Sequence, residues 1–280
     1  MRDFDEIHGV DFSGAAHAGR NIWVARTQAK GKRLLLRELQ PLESHAGVSD
    51  RDGALAHLVA MIRGSQRSAW GMDFPFGLPV ELHAMGESWP EQMRFIASFA
   101  GDARSFGLWC VGESKRSVGR LHVRRTTDSE VKTPFDCYHY RIVHQTFHGM
   151  RDVLAELTRT PATAILPFQY DRLARADRVI VEACPSSTLK RLGLPHQNYK
   201  EPAAKTVSAP KRRTRRAILA GLEEFIEIPA AQRKAIYANP GGDALDAVIA
   251  AVGVWQSLGS VDHDAIQRHP RYTREGFVYA

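Results

Sequence analysis

The stretch GGDALDAVIAAVGVW, residues 241–255, constrains the fold most, because from Ala244 to Trp255 its only charged side chain is Asp246. A helix that is apolar on nearly every side has to be buried, so the rest of the chain must supply a layer that covers it. Two carboxylates, Asp243 and Asp246, nevertheless stand three residues apart where this helix enters the core, and residues three apart share a helix face. Taken singly, Asp243 reads as an N-cap and Asp246 as a charge favoured by the helix dipole. Gly241 and Gly242 carry no side chains, so the backbone there can come close to another element or to a ligand.

The covering layer is legible as short β-type runs. IHGVDF (7–12), NIWVART (21–27) and KRLLLREL (32–39) predict three sequential antiparallel strands. DGALAHLVAMIRG (52–64) carries Leu55, Leu58, Val59 and Ile62 at helical spacing, and SAWGMDF (68–74) reads as a fourth strand halted by Pro75. Further on, PEQMRFIASF (90–99) predicts a short helix, residues 111–136 a long polar and basic loop, and 137–157 a helix with a stripe through Tyr140, Val143, Phe147, Val153 and Leu157. TAILPF (163–168) and VIVEAC (179–184) predict strands; PSSTLKRLG (185–193) and RRAILAGLEEFI (215–226) predict helices. The expected architecture is one α/β domain over residues 1–280. It has three antiparallel strands, then parallel strands, flanking helices, and a largely helical insertion over 80–160.

Composition narrows the class. The three cysteines lie far apart with no CxxC pair, which argues against a disulfide framework and against a thiolate zinc site. No apolar run reaches bilayer length, and the acidic start MRDFDEIHGVDF lacks the basic-then-apolar pattern of an export signal. A cytoplasmic protein with no membrane partner is expected. The net charge of +7 is unevenly placed, with Lys200, Lys205, Lys211, Arg212, Arg213, Arg215 and Arg216 opposed only by Glu201. A second basic group holds Lys115, Arg116, Arg120, Arg124 and Arg125. Such clusters suit a polyanion, and equally a solvated surface.

Four places deliver an acidic residue beside small or turn residues: VDFSG (Asp11), GMDFPFG (Asp73), VIVEACPSS (Glu182) and GGDALDA (Asp243, Asp246). If the first and fourth strands are neighbours, Asp11 and Asp73 emerge side by side, and a helix packed on the sheet presents Asp243 and Asp246 towards them. Carboxylates converging without a cation repel one another, and a divalent ion removes that penalty. Hard oxygen donors favour Mg²⁺ or Mn²⁺ over zinc. A pair of such ions activates water and stabilises the leaving oxygen in phosphodiester hydrolysis, with Lys200, Lys211, Arg212 and Arg213 as candidates for phosphate contacts.

The ordered set VDFSG, GMDFPFGLP, RTTD (125–128), QTFHGM (145–150), VIVEACPSSTLKRLGLP followed by YK, GGDALDAVIAA and the final EGFVYA resembles the family called domain of unknown function 429. Its members are regarded as ribonuclease-H-like nucleases by prediction, related in fold to the Holliday-junction resolvases. The resemblance implies a ribonuclease-H-like fold and a two-metal nuclease acting on nucleic acid. Asp11 matches the first-strand aspartate that bridges the metals, Asp73 the fourth-strand acid, and Asp243 and Asp246 the acidic pair on the final helix. Glu182 is similar to a position the family keeps acidic, either as a ligand or as a partner for a cation from 200–216. Resolvases of this fold work as dimers, so a homodimer is implied too.

Two other classes stay open at this point. An actin-like-fold phosphotransferase would hold phosphate on the backbone N–H groups of Ser13 and Gly14, although the chain is short for two facing domains and has no GxxxxGK[ST] stretch. A non-catalytic nucleic-acid-binding module with a relic acidic site would stack bases on Phe135, Tyr138, Tyr140 or Tyr199. Retention of metal binding separates it from the enzyme. His144 and His148, four apart but without the Glu of HExxH, are weak evidence for zinc.

Overall fold

The apolar runs pair into one sheet. The structure is a computed structural model that describes residues 4–202 and 204–280, so the first three residues of the acidic N-terminal stretch lie outside it. Strands β1 (Glu6–Asp11), β2 (Trp23–Lys30) and β3 (Arg33–Pro41) are antiparallel neighbours. On the other side of β1, β4 (Ser68–Met72), β5 (Thr163–Ile165) and β6 (Arg178–Glu182) extend the sheet in parallel. A two-residue strand, β7 (Ile226–Glu227), lies parallel to β3 at the far edge. It is too short to leave a period in the sequence. The spatial order β5-β6-β4-β1-β2-β3-β7 puts β1 in the middle.

Side chains alternate across this sheet, so each strand feeds two cores. Val10, Trp70, Met72 and Ile180 face the helices Arg51–Gly64, Trp89–Ser98 and Val143–His148. Ile7, Ala69, Val179 and Val181 face the helices Ala209–Leu222 and Asp243–Ser260. The chain is therefore a mixed α/β fold with helices on both faces. Among the described residues no helix is long and apolar enough to cross a membrane.

Two glycines set how closely the apolar helix approaches. Gly9 and Gly71 are register partners on β1 and β4. A Cβ on Gly9 would come within 2.0 Å of the Ala247 carbonyl oxygen, and one on Gly71 within 2.5 Å of Val254 Cγ2. The first contact is with backbone, which cannot rotate away. Gly9→Ala is therefore expected to cost about 1–3 kcal/mol by overpacking, read as a lower urea midpoint at unchanged slope; an unchanged midpoint would contradict this packing.

The middle of the chain corrects the sequence reading twice. Residues 111–136 are not one loop: Asp102 caps a helix over Ala103–Val118 that ends on left-handed Gly119, and a short helix follows at Thr126–Glu130. In the first of these helices the apolar stripe through Ala103, Phe106 and Cys110 stops before residue 111, and the last buried residues are the polar Glu113 and Ser114. The helix expected from residue 137 begins at Val143. Asp136 accepts from the Tyr138 and His139 amides, and His139 from Ile142, so 136–142 is a run of turns that leaves Tyr140 exposed.

Candidate metal centre

The same alternation that seats the helix aims the acids. Asp11 lies two residues beyond Gly9 and Asp73 two beyond Gly71, so both point from the sheet face that the helix Asp243–Ser260 covers. Asp73 continues β4 through its amide, which donates to the Val10 carbonyl at 3.0 Å. The helix delivers Asp246, and oxygens of Asp11, Asp73 and Asp246 all lie within 4.8 Å of one another. Among the described residues no other group of three or more His, Cys, Asp or Glu side chains converges in this way. The sequence carried a direct signal for the pairing of the first two: G-x-D-F occurs at 9–12 and again at 71–74. Even the phenylalanines match, with the Phe12 and Phe74 rings 4.5 Å apart.

The three carboxylates border a cavity of about 200 Å³ whose lining also includes Phe135, Ile142 and Gln145. Asp11 and Asp246 are buried and Asp73 is partly so. Burial, and then Asp246, push the Asp11 carboxyl well above its ordinary value; Lys200 opposes the rise while Asp243 and Asp73 add to it. The Asp73 carboxyl is raised to about 7, again by burial first and Asp246 second. Folding thus favours the protonated form of Asp73, and the sign for stability follows. The contribution is present in full below the unfolded value of 3.8 and is lost as pH rises through about 7. Metal-free wild type should therefore lose more stability between those limits than Asp73→Asn, measured by thermal unfolding across pH. Parallel curves for the two proteins would contradict the strain.

Asp246 has two further partners. The Tyr199 hydroxyl donates to its Oδ1 at 2.8 Å, and the Lys200 ammonium pairs with its Oδ2. Tyr199, a candidate base-stacking residue in the sequence, is 3% exposed and spent on this bond. Both residues are held in place by Arg215. This arginine is fully buried and donates to the carbonyls of Tyr199, Ile236, Asn239 and Pro240 at 2.6–2.9 Å. So the basic run divides. Lys200 faces the acids, Arg215 is an internal clamp, and Lys211, Arg212 and Arg213 sit at the accessible start of the helix Ala209–Leu222.

Asp243 and Glu182 stand apart from the cluster. Gly242, with φ of +89°, occupies the N-cap position instead of Asp243. The Asp243 carboxylate accepts from Asn239 Nδ2 at 3.2 Å, while Asn239 Oδ1 accepts from the Ala244 amide. Burial raises the Asp243 carboxyl, with Asn239 and Lys200 opposing. Glu182 lines the cavity but faces Arg125 and not a cation of 200–216. Arg125 Nη1 and Nη2 donate to its two oxygens at 2.8 and 2.5 Å, and the Phe76 amide donates at 2.9 Å. Arg125 also grips Asp128 through Nε and Nη2. Sequence reading placed Arg125 in a surface cluster; it is 1% exposed.

This node explains three of the motifs. RTTD supplies Arg125 and Asp128, the sixth strand supplies Glu182, and EGFVYA closes over them as the Tyr279 amide donates to the Glu182 carbonyl at 2.8 Å. QTFHGM also has a place: Gln145 donates to the Phe12 carbonyl at 2.6 Å, and Gly149 lies against the Phe74 ring. The motifs are thus the supports of two acid-bearing loops. A family model described as Protein of unknown function (DUF429) matches residues 9–270. The chain belongs to this family. No curated protein and no solved structure matches it. What the DUF429 motifs have in common here is geometric, since each borders or braces the cavity that holds Asp11, Asp73 and Asp246.

The remaining candidates fall elsewhere. His148 pairs with Asp152 at 2.7 Å and joins no metal-binding group. Cys110, Cys137 and Cys184 are buried free thiols, and burial pushes Cys184, on the cavity wall, up to about 12. Tyr138 is buried, its hydroxyl bonded to Ser114 and to the Val123 amide.

Proposed function

We propose that this chain is a Mg²⁺- or Mn²⁺-dependent phosphodiesterase of ribonuclease-H-like type that hydrolyses nucleic acid. The convergence of Asp11, Asp73 and Asp246 carries the reading. Three hard oxygen donors, two of them forced towards protonation by burial and by one another, fit a divalent cation and do not fit a soft metal. Such a cation supplies an activated water and positive charge for the reacting phosphate. The chain's own residues do the rest. Tyr199 and Lys200 hold the carboxylate of Asp246 from both oxygens. Lys211, Arg212 and Arg213 offer cations to the phosphate backbone. The strand order supports the ribonuclease-H-like reading, with three antiparallel strands continuing into parallel ones and the first aspartate on the central strand.

The ion pair of Lys200 with Asp246 favours a second reading, a nucleic-acid-binding module whose acidic site is a relic. One experiment separates the two. Labelled single-stranded, duplex and branched DNA and RNA are incubated with the protein in Mn²⁺, Mg²⁺ or EDTA. Cutting that requires the cation supports the enzyme. Binding of the same panel without cutting supports the module.

A further inference from the structure

We propose that Lys200 stands permanently where a second cation would otherwise be needed, so that the centre takes one divalent ion and not two. This deepens the metal-dependent reading above and rests on it. Lys200 is not a loose surface lysine, because the chain on both sides of it is fastened to the turn that starts the Asp246 helix. The Tyr199 carbonyl is held by Arg215 Nε at 2.8 Å, and the Glu201 amide donates to the Pro240 carbonyl at 2.8 Å. Gly242 leaves room for the lysine stem, since a Cβ there would come within 2.9 Å of Lys200 Cγ. The side chain is 45% accessible, yet its ammonium is directed onto a carboxylate that is 2% accessible.

Both oxygens of Asp246 already have a donor, the Tyr199 hydroxyl on Oδ1 and the Lys200 ammonium on Oδ2. Asp11 and Asp73 lie within 4.8 Å of Asp246, and among the described residues neither has a side-chain hydrogen bond or ion pair to a cation. Three carboxylates and one ammonium leave two negative charges, which a single divalent ion neutralises. A second ion would bring a surplus of two positive charges into a site with burial on most sides, unless the lysine left. Asp243 lies outside this converging group, and its carboxylate accepts from Asn239.

Metal stoichiometry tests this directly. Metal-stripped full-length wild type, Lys200→Met, Lys200→Arg and Asp11→Asn are titrated with Mn²⁺, and bound ion is counted from the loss of the free-Mn²⁺ paramagnetic signal. Only sites lost in Asp11→Asn are counted. Wild type and Lys200→Arg should bind one ion and Lys200→Met two, because removing the ammonium opens a cation position. A merely structural lysine would leave the count unchanged or lower it. Two ions in wild type, or one in a folded Lys200→Met, would overturn the proposal while leaving the metal-dependent reading standing. No ion in wild type would overturn both. Should Lys200→Met fail to fold, Lys200→Gln makes the same measurement with a polar neutral side chain.

Discussion

Arg125→Met should lower stability by about 3–5 kcal/mol, the cost of leaving buried charges without their partner. That is a large part of the roughly 5–15 kcal/mol that holds a domain folded. The guanidinium serves Glu182 and Asp128 together, and also the carbonyls of Gly77 and Glu275 at 3.4 and 3.0 Å. None of the three charged residues is more than 3% exposed, so water cannot replace the arginine. Neutralising the acids as well reverses most of the loss. The triple variant Arg125→Met, Glu182→Gln, Asp128→Asn removes the unpaired charges, and replacing a whole buried network is far less costly than breaking it. Urea unfolding of the single and triple variants measures both effects. A loss below about 1 kcal/mol for Arg125→Met would place the node nearer to an exposed ion pair than to a buried one.

Asp11→Asn should have the opposite sign on stability and a larger effect on chemistry. Its carboxylate is disfavoured by burial and by Asp246, Asp243 and Asp73, so neutralising it relieves the metal-free protein and raises its unfolding temperature. The same change removes a donor from the proposed centre. Loss of groups that only support a metal ligand costs about 10–100-fold, so losing the ligand itself should cost hydrolysis at least about 100-fold. Stabilisation together with inactivation is the signature of a strained site. Cutting at wild-type rate by both proteins would point to a contaminant or to a site that does not need Asp11. A lower unfolding temperature would mean that Asp11 is paired and not strained.

Much of this architecture was legible because the strands are short and apolar. Six of the seven strands among the described residues follow from composition and turn residues, and the burial of the helix Asp243–Ser260 follows from its lack of a polar face. What could not be read lies where polar side chains are used inside. Arg125 and Arg215 look like members of surface clusters, since a sequence records their charge and not the carbonyls and carboxylates that absorb it. Glu182 shows the same difficulty, because its partner is 57 residues earlier and on a segment that reads as a loop. Asp243 and Asp246 were indistinguishable as a pair, and the helix register separates them by turning one to Asn239 and the other to the cavity. The pairing of Asp11 with Asp73 was available in the repeated G-x-D-F, where a glycine admits the helix and an aspartate two residues on meets it.

In the proposed centre Asp11, Asp73 and Asp246 hold a divalent cation between them. Crystals grown with Mn²⁺ and measured at the manganese absorption edge test it without reference to activity. One strong anomalous peak is expected, bonded to carboxylate oxygens of all three residues, with Lys200 still against Asp246. A map with no peak at this cluster at millimolar Mn²⁺, or with its strongest peak on other side chains, would contradict it.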